Sequence, residues 1–228
     1  MKVVKKLSKE QKSLLIAMLL GDGTICNNNV YKLSHAKEQY EYLSWKVKLL
    51  KSANIQTSDI KEYTSKCGYN AGKNVLYTQL RIIPTIKALR RCIYKPKKTL
   101  TRRLLNWLDA RGIAIWYMDD GHLNVNTSKQ RSNIQHTVHL TTCVDFNTAT
   151  IIQTYFQEVW NIKFRMWEER KNLFSLATCG ELETIKFLNI VKPFVEQVPL
   201  FLYKIRKDFT KEEFLQRQKE GLKCETLV

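Results

Sequence analysis

No apolar run in this chain exceeds about nine residues, well short of the roughly 20 that a membrane-crossing helix needs. The opening stretch, MKVVKKLSKEQK, is charged and does not read as a secretion signal. Six cysteines are present, at 26, 67, 92, 143, 179 and 224, with no C-x-x-C pair among them, which argues against a zinc site. Reduced, mostly buried thiols are expected instead. They imply an intracellular, reducing compartment: a bacterial or phage-infected cytoplasm, or an organelle matrix. A glycine-rich phosphate loop and a nucleophile triad are both missing. The pair His136-x-x-His139 falls on a predicted strand, where the two rings point to opposite faces and cannot share a metal.

Acidic residues are also scarce. Lys and Arg number 38 against 21 Asp and Glu, for a net charge of +17. The excess is uneven: residues 1–110 carry 22 basic and 7 acidic groups, net +15, whereas the remainder carries 16 and 14, net +2. Such a field points to a polyanion, most simply nucleic acid, and gives no reaction by itself. With 228 residues, 44% of them hydrophobic, the chain can bury a core as one domain or as two of about 100 residues each.

Two stretches stand out. LLGDGTI (19–25) and YMDDGHL (117–123) each end an apolar, helix-like run on an aspartate followed by glycine. Ser8-Lys9-Glu10-Gln11 is a capping box, and the helix after it runs from Ser13 to about Gly21. Its residues 14–20 are apolar on every side, which predicts burial all round. Ala17 and Gly21 share one face and would let another helix approach closely. Glycine at a helix end is an ordinary cap. The aspartates need another explanation, because a carboxylate there meets the negative pole of the helix dipole and its free carbonyls. A divalent cation reverses the sign of that interaction and takes the carboxylate and carbonyls as hard oxygen ligands. If the two helices pack side by side, Asp22 and Asp120 meet at one end of the seam.

The remaining pattern repeats. Predicted hairpins flank the NNN turn and CGYNAGKN, with helices near 37–53 and 84–91 and a further helix at 100–109. The second unit begins with a helix at 112–120 and a polar loop at 124–133. Strands follow at 134–142, 162–168 and 173–179, with helices at 146–160 and 181–190 and an exposed terminal helix near 210–222. Helix-strand-strand-helix-strand-strand-helix occurs twice, dividing the chain into halves 1–110 and 111–228, a diverged internal duplication.

Leu15-Ile16-Ala17-Met18-Leu19-Leu20-Gly21-Asp22-Gly23 and Ile113-Ala114-Ile115-Trp116-Tyr117-Met118-Asp119-Asp120-Gly121 resemble the nine-residue motif of the LAGLIDADG homing endonucleases, in their single-chain, two-motif form. The similarity in organisation covers roughly residues 8–208. The motif's third-position glycine is Ala17 and Ile115 here and its sixth-position acid is Leu20 and Met118, while both final aspartates are kept.

The resemblance implies an α+β fold of two pseudo-symmetric αββαββα halves, with the motif helices at the interface and antiparallel sheets forming a saddle on the DNA major groove. It implies a monomeric, intron-encoded type of enzyme that hydrolyses both strands of a long target site and leaves short 3′ overhangs. Asp22 and Asp120 would hold Mg²⁺, with Mn²⁺ as substitute and Ca²⁺ supporting binding without turnover. Gly21 and Asp119 would add carbonyls. Lys98 and Lys204 are similar to the family's basic residues near each scissile phosphate, with Lys97 a one-residue-slip alternative to Lys98.

Strand alternation selects the groove-facing residues. Leu80 and Ile82 face the core, leaving Gln79 and Arg81 outward, with Lys61 and Tyr63 on the partner strand. Val138 and Leu140 face inward, exposing Gln135, Thr137, His139 and Thr141. Phe164 and Met166 do the same for Lys163, Arg165 and Trp167. Rival readings are a binding protein of the same fold, as an RNA maturase acting on its own intron RNA or as a non-cleaving DNA-binding regulator, and a basic RNA-binding scaffold. Splicing-type flanks of an intein are not seen.

Overall fold

The computed structural model describes residues 7–65, 71–80, 83–94, 100–127 and 134–206. Arg81, Lys97, Lys98 and the expected terminal helix lie outside them. The first unit consists of α1 (Lys9–Leu20), β1 (Gly23–Ile25), β2 (Tyr31–Ala36), α2 (Tyr40–Ser52), β3 (Lys61–Thr64), β4 (Asn74–Leu80) and α3 (Ile83–Ile93). A single helical turn, α4 (Arg102–Leu105), leads into α5 (Ala110–Asp120), β5 (Gly121–Thr127), β6 (Ile134–Val144), α6 (Phe146–Trp160), β7 (Phe164–Arg170), β8 (Leu173–Thr178) and α7 (Glu181–Val195). A 3-10 turn, Pro199–Lys204, closes the described chain.

Two four-stranded antiparallel sheets result, ordered β1-β2-β4-β3 and β5-β6-β8-β7, so the same topology occurs twice. Between them run α1 and α5. Ser8 caps α1 by accepting from the Gln11 amide at 3.1 Å, while its own amide donates to the Gln11 side chain at 3.0 Å. That reciprocal pair satisfies two otherwise orphaned groups and moves the helix start ahead of Ser13. Asp109 caps α5 by its side chain alone, accepting from the Gly112 amide at 2.8 Å.

The helices pair in parallel. At their N-terminal ends Ser13 donates to Asp109 at 2.7 Å and accepts from its amide at 3.1 Å. A Cβ at Gly112 would strike the Ser13 hydroxyl, and one at Gly21 would overlap the Asp119 carboxylate. Small residues therefore sit wherever the backbones approach most closely. Leu14 to Leu20 and Ile113 to Met118 are all buried, as expected for helices enclosed on every side.

Several elements differ from their expected spans. Residues 124–127 belong to β5 rather than to a loop, because the polar run hides an alternation in which only Leu123 and Val125 are apolar. The expected helix over 100–109 forms one turn, with Asn106 to Leu108 continuing as tight turns. Helix α7 passes through Pro193 to Val195. The described cysteines are free, but Cys92, Cys143 and Cys179 are exposed and Cys26 is half-buried, contrary to the expected burial. Cys143 lies where the β6–β8 register shifts, with φ of 45°, which turns its side chain away from the core. No helix among the described residues is long and apolar enough to cross a membrane.

Candidate active site and nucleic-acid interface

At the C-terminal end of the seam, residues from both halves meet. The Asp119 carboxylate, fully buried, accepts from the Lys46 ammonium at 2.7 and 2.9 Å and from the Tyr42 hydroxyl at 2.7 Å. Its second oxygen also accepts from the backbone amide of Asp22 at 3.2 Å. Lys46 reaches His35 Nε2 at 3.1 Å, and His35 Nδ1 lies 3.0 Å from the Gln39 amide oxygen and 3.5 Å from the Asp22 carboxylate. Because Nε2 faces an ammonium, the ring proton belongs on Nδ1. Burial, then the Lys46 charge, lowers His35 from 6.5 to about 3, so the ring is neutral.

Asp119 thus contributes more than the main-chain carbonyl assigned to it. Its side chain pairs with a lysine that sequence reasoning missed altogether. The signal was available: Tyr42, Leu43, Lys46, Val47 and Leu50 make the buried face of α2, and Lys46 is the charged member of that face.

Lys204, expected near a scissile phosphate, is 5% exposed. Its ammonium donates to the Met118 carbonyl at 2.6 Å, at the negative pole of α5, and its backbone carbonyl accepts from Tyr117 at 2.7 Å. Burial lowers its pKa to about 8, opposed by the charges of Asp119, Asp120 and Asp22. The same three carboxylates raise the Tyr42 hydroxyl, after burial itself, so all three share this end of the seam.

Asp22, His35 and Asp119 bring ligand atoms within 4.8 Å of one another. The Lys46 ammonium already occupies the cation position between His35 and Asp119, so those two groups do not form a metal centre. The Asp22 side chain is 43% exposed and Asp120 is half-buried, leaving both accessible. Carboxylates beside helix-end carbonyls are hard oxygen donors and fit Mg²⁺ or Mn²⁺.

The sheets carry the candidate groove contacts. Lys61 and Tyr63 are exposed on β3, and Gln79 is half-buried on β4 opposite Lys32. The Lys32 ammonium stands 4.0 Å over the Tyr63 ring and 4.5 Å over Tyr77, adding two residues to that face. In the second sheet Gln135, Lys163 and Arg165 are exposed, and His139, Thr141 and Trp167 are half-buried. Thr137 corrects the alternation reading: it is 7% exposed, a short side chain between Gln135 and His139 and opposite Asn124. His139 stacks on His122 at 4.8 Å and meets Trp167 edge-on at 4.8 Å. Burial, then His122 and Arg165, lowers His139 to about 4, so this aromatic row is uncharged.

Two matching sheets set on paired helices that end in carboxylates define the homing-endonuclease fold. The chain belongs to the LAGLIDADG DNA endonuclease family, whose profile matches residues 12–181. Among solved structures it is similar to the homing endonuclease I-WcaI bound to its DNA recognition sequence, with a TM-score of 0.71, 20% identity, and 90% of this chain and 89% of that one covered. It is also similar to the LAGLIDADG meganuclease I-AabMI bound to uncleaved DNA, with a TM-score of 0.51, 13% identity, and 91% and 92% covered. Curated relatives are proteins called RecA. That of Mycolicibacterium flavescens is 24% identical over 216 residues, and that of Mycobacterium leprae (strain TN) is 26% identical over 216 residues. The matches cover 90% and 89% of this chain but 48% and 29% of those relatives, so the chain spans about half their length or less.

Proposed function

We propose that the chain is a site-specific DNA endonuclease that cuts both strands of a long duplex target as a monomer, with halves 1–110 and 111–228 each serving one strand. The observation that carries this reading is that Asp22 and Asp120 stand at the ends of two helices joined there by the Asp22 amide–Asp119 bond, between two sheets of identical topology. Asp22 and Asp120, with the carbonyls of Gly21 and Asp119, would hold divalent metal. Bound metal ions supply an activated water and charge for the leaving 3′ oxygen.

The chain's own residues do the rest. Gln79, Lys61, Tyr63, Gln135, His139, Thr141, Lys163, Arg165 and Trp167 face the groove to read bases or hold phosphates, and Arg81 joins them from its place in the sequence. Lys204 neutralises the negative pole of α5, which would otherwise repel the scissile phosphate. Lys98 would serve, as the family resemblance implies, as the basic residue near the other scissile phosphate. Short 3′ overhangs and an intron-borne gene follow from the family resemblance.

The test is cleavage of a randomised plasmid library in Mg²⁺, with gel shift of the selected duplex in Ca²⁺. Linear product with a shared sequence at the cut supports the reading. Binding in Ca²⁺ with no cut in Mg²⁺ or Mn²⁺ would leave a DNA-binding protein of the same fold.

A further inference from the structure

We propose that the Asp119 side chain is a positioning group for Asp22, with Lys46 and Tyr42 holding it in place. One half's motif helix thereby sets the metal-binding aspartate of the other. This inference rests on the endonuclease reading for its consequences in cleavage, but its geometry stands apart from it.

The Asp22 amide follows the last regular backbone bond of α1, Gly21 to the Ala17 carbonyl at 3.3 Å, and so lies beyond the helical ladder. Asp119 accepts from that amide at 3.2 Å, while Lys46 and Tyr42 take up its remaining acceptor capacity at 2.7 to 2.9 Å. A carboxylate with every side occupied has one available orientation. Tyr42 is held further by packing edge-on against Phe201 at 4.7 Å, which leaves its one hydroxyl proton directed at Asp119. Gly21 completes the arrangement, since any side chain there would displace the carboxylate. Asp119 therefore fixes the backbone that carries the Asp22 carboxylate and not the carboxylate itself, and losing a group that orients a metal ligand typically costs about 10- to 100-fold in metal affinity or activity.

Removing Lys46 alone would orphan a buried charge and threaten the fold, so the test replaces both partners. Lys46→Met with Asp119→Leu removes the ion pair and the acceptor for the Asp22 amide, and apolar replacement of a buried pair is often tolerated. Lys46→Met with Asp119→Asn also removes the charges but keeps an oxygen that can accept from that amide. Mn²⁺ binding to the free full-length chain is read from the EPR signal of unbound Mn²⁺. The Leu variant should bind about tenfold more weakly, and the Asn variant should recover to within about threefold of the unaltered chain.

On the library-selected duplex in Mg²⁺, the Leu variant should slow the cut of one strand about tenfold while changing the other less than about threefold. Equal Mn²⁺ affinity in all three proteins, or equal loss in both variants, overturns the proposal. An unaltered chain that cuts nothing overturns the endonuclease reading instead, and the Mn²⁺ comparison alone then judges the positioning role.

Discussion

At the end of α1 the residue before the motif's final aspartate is Gly21; at the end of α5 it is Asp119. The same inequality appears one layer out. The buried face of α2 places Tyr42, Leu43, Lys46 and Leu50 at the spacing at which α6 places Thr148, Ala149, Ile152 and Phe156. A lysine in the first half thus stands where the second half has isoleucine. Backbone topology repeats faithfully, yet the first half's site rests on a buried polar cluster and the second on apolar packing with Lys204 beneath it. The repeated topology fixes where the carboxylates lie; the residues that differ between the halves decide what supports each one.

The largest expected effect should be alike in both halves. Asp22→Asn and Asp120→Asn should each lower double-strand cutting by about 10⁴-fold, several kcal/mol of transition-state stabilisation, while Ca²⁺-supported binding stays largely intact. Plasmid linearisation beside a gel shift measures it, and full cutting by the double variant would end the catalytic assignment.

Stability should separate the halves. Lys46→Met leaves Asp119 buried without its counter-ion and should cost about 3–5 kcal/mol. Ile152→Met at the matching position conserves volume and should cost less than about 1.5 kcal/mol. Urea unfolding of both variants makes the comparison, and similar losses would mean that the polar cluster is no more critical than ordinary core.

Acid should expose the same contrast. His35, lowered to about 3, and His139, lowered to about 4, stay neutral in the folded protein. The unfolded chain takes up those protons near pH 6.5, so stability present above about 6.5 is lost as pH falls through the folded values. The urea midpoint should drop between about pH 6.5 and 4, and His35→Leu should flatten that drop more than His139→Leu. A steeper drop in the His35 variant would contradict the assigned neutral state.

Smallest are the reading contacts. Gln79→Ala in one sheet and Arg165→Ala in the other should each relax discrimination at particular base pairs by about 1–3 kcal/mol if the contact is bidentate. Uniform weakening across all site variants would reassign them to phosphate.

The fold was largely legible because its signals are local: the Ser8 capping box, the all-round apolar helices, and the strand alternation that put Val138 and Leu140 inside. Strand β5 escaped because its inward face offers only Leu123 and Val125 among polar neighbours. At the site, the motifs located Asp22 and Asp120. The Lys46–Asp119 pair was invisible because its members are 73 residues apart and each looks ordinary alone, a lysine on a helix and an acid beside an acid. Only the packing of one half on the other joins them. Thr137 failed for a related reason: alternation gives a side chain's direction, whereas coverage depends on the height of its neighbours.

The Gly21–Asp119 contact also carries a consequence for symmetry. In a homodimer related by a true two-fold axis, matching positions must hold the same residue. Two aspartates there would overlap at the seam, and two glycines would leave each Lys46 without its counter-ion. The present arrangement therefore needs unlike residues on the two sides of the seam, which this chain supplies from its two halves. A copy of either half set against itself would meet one of those two faults at this contact, overlap or an unpaired buried ammonium.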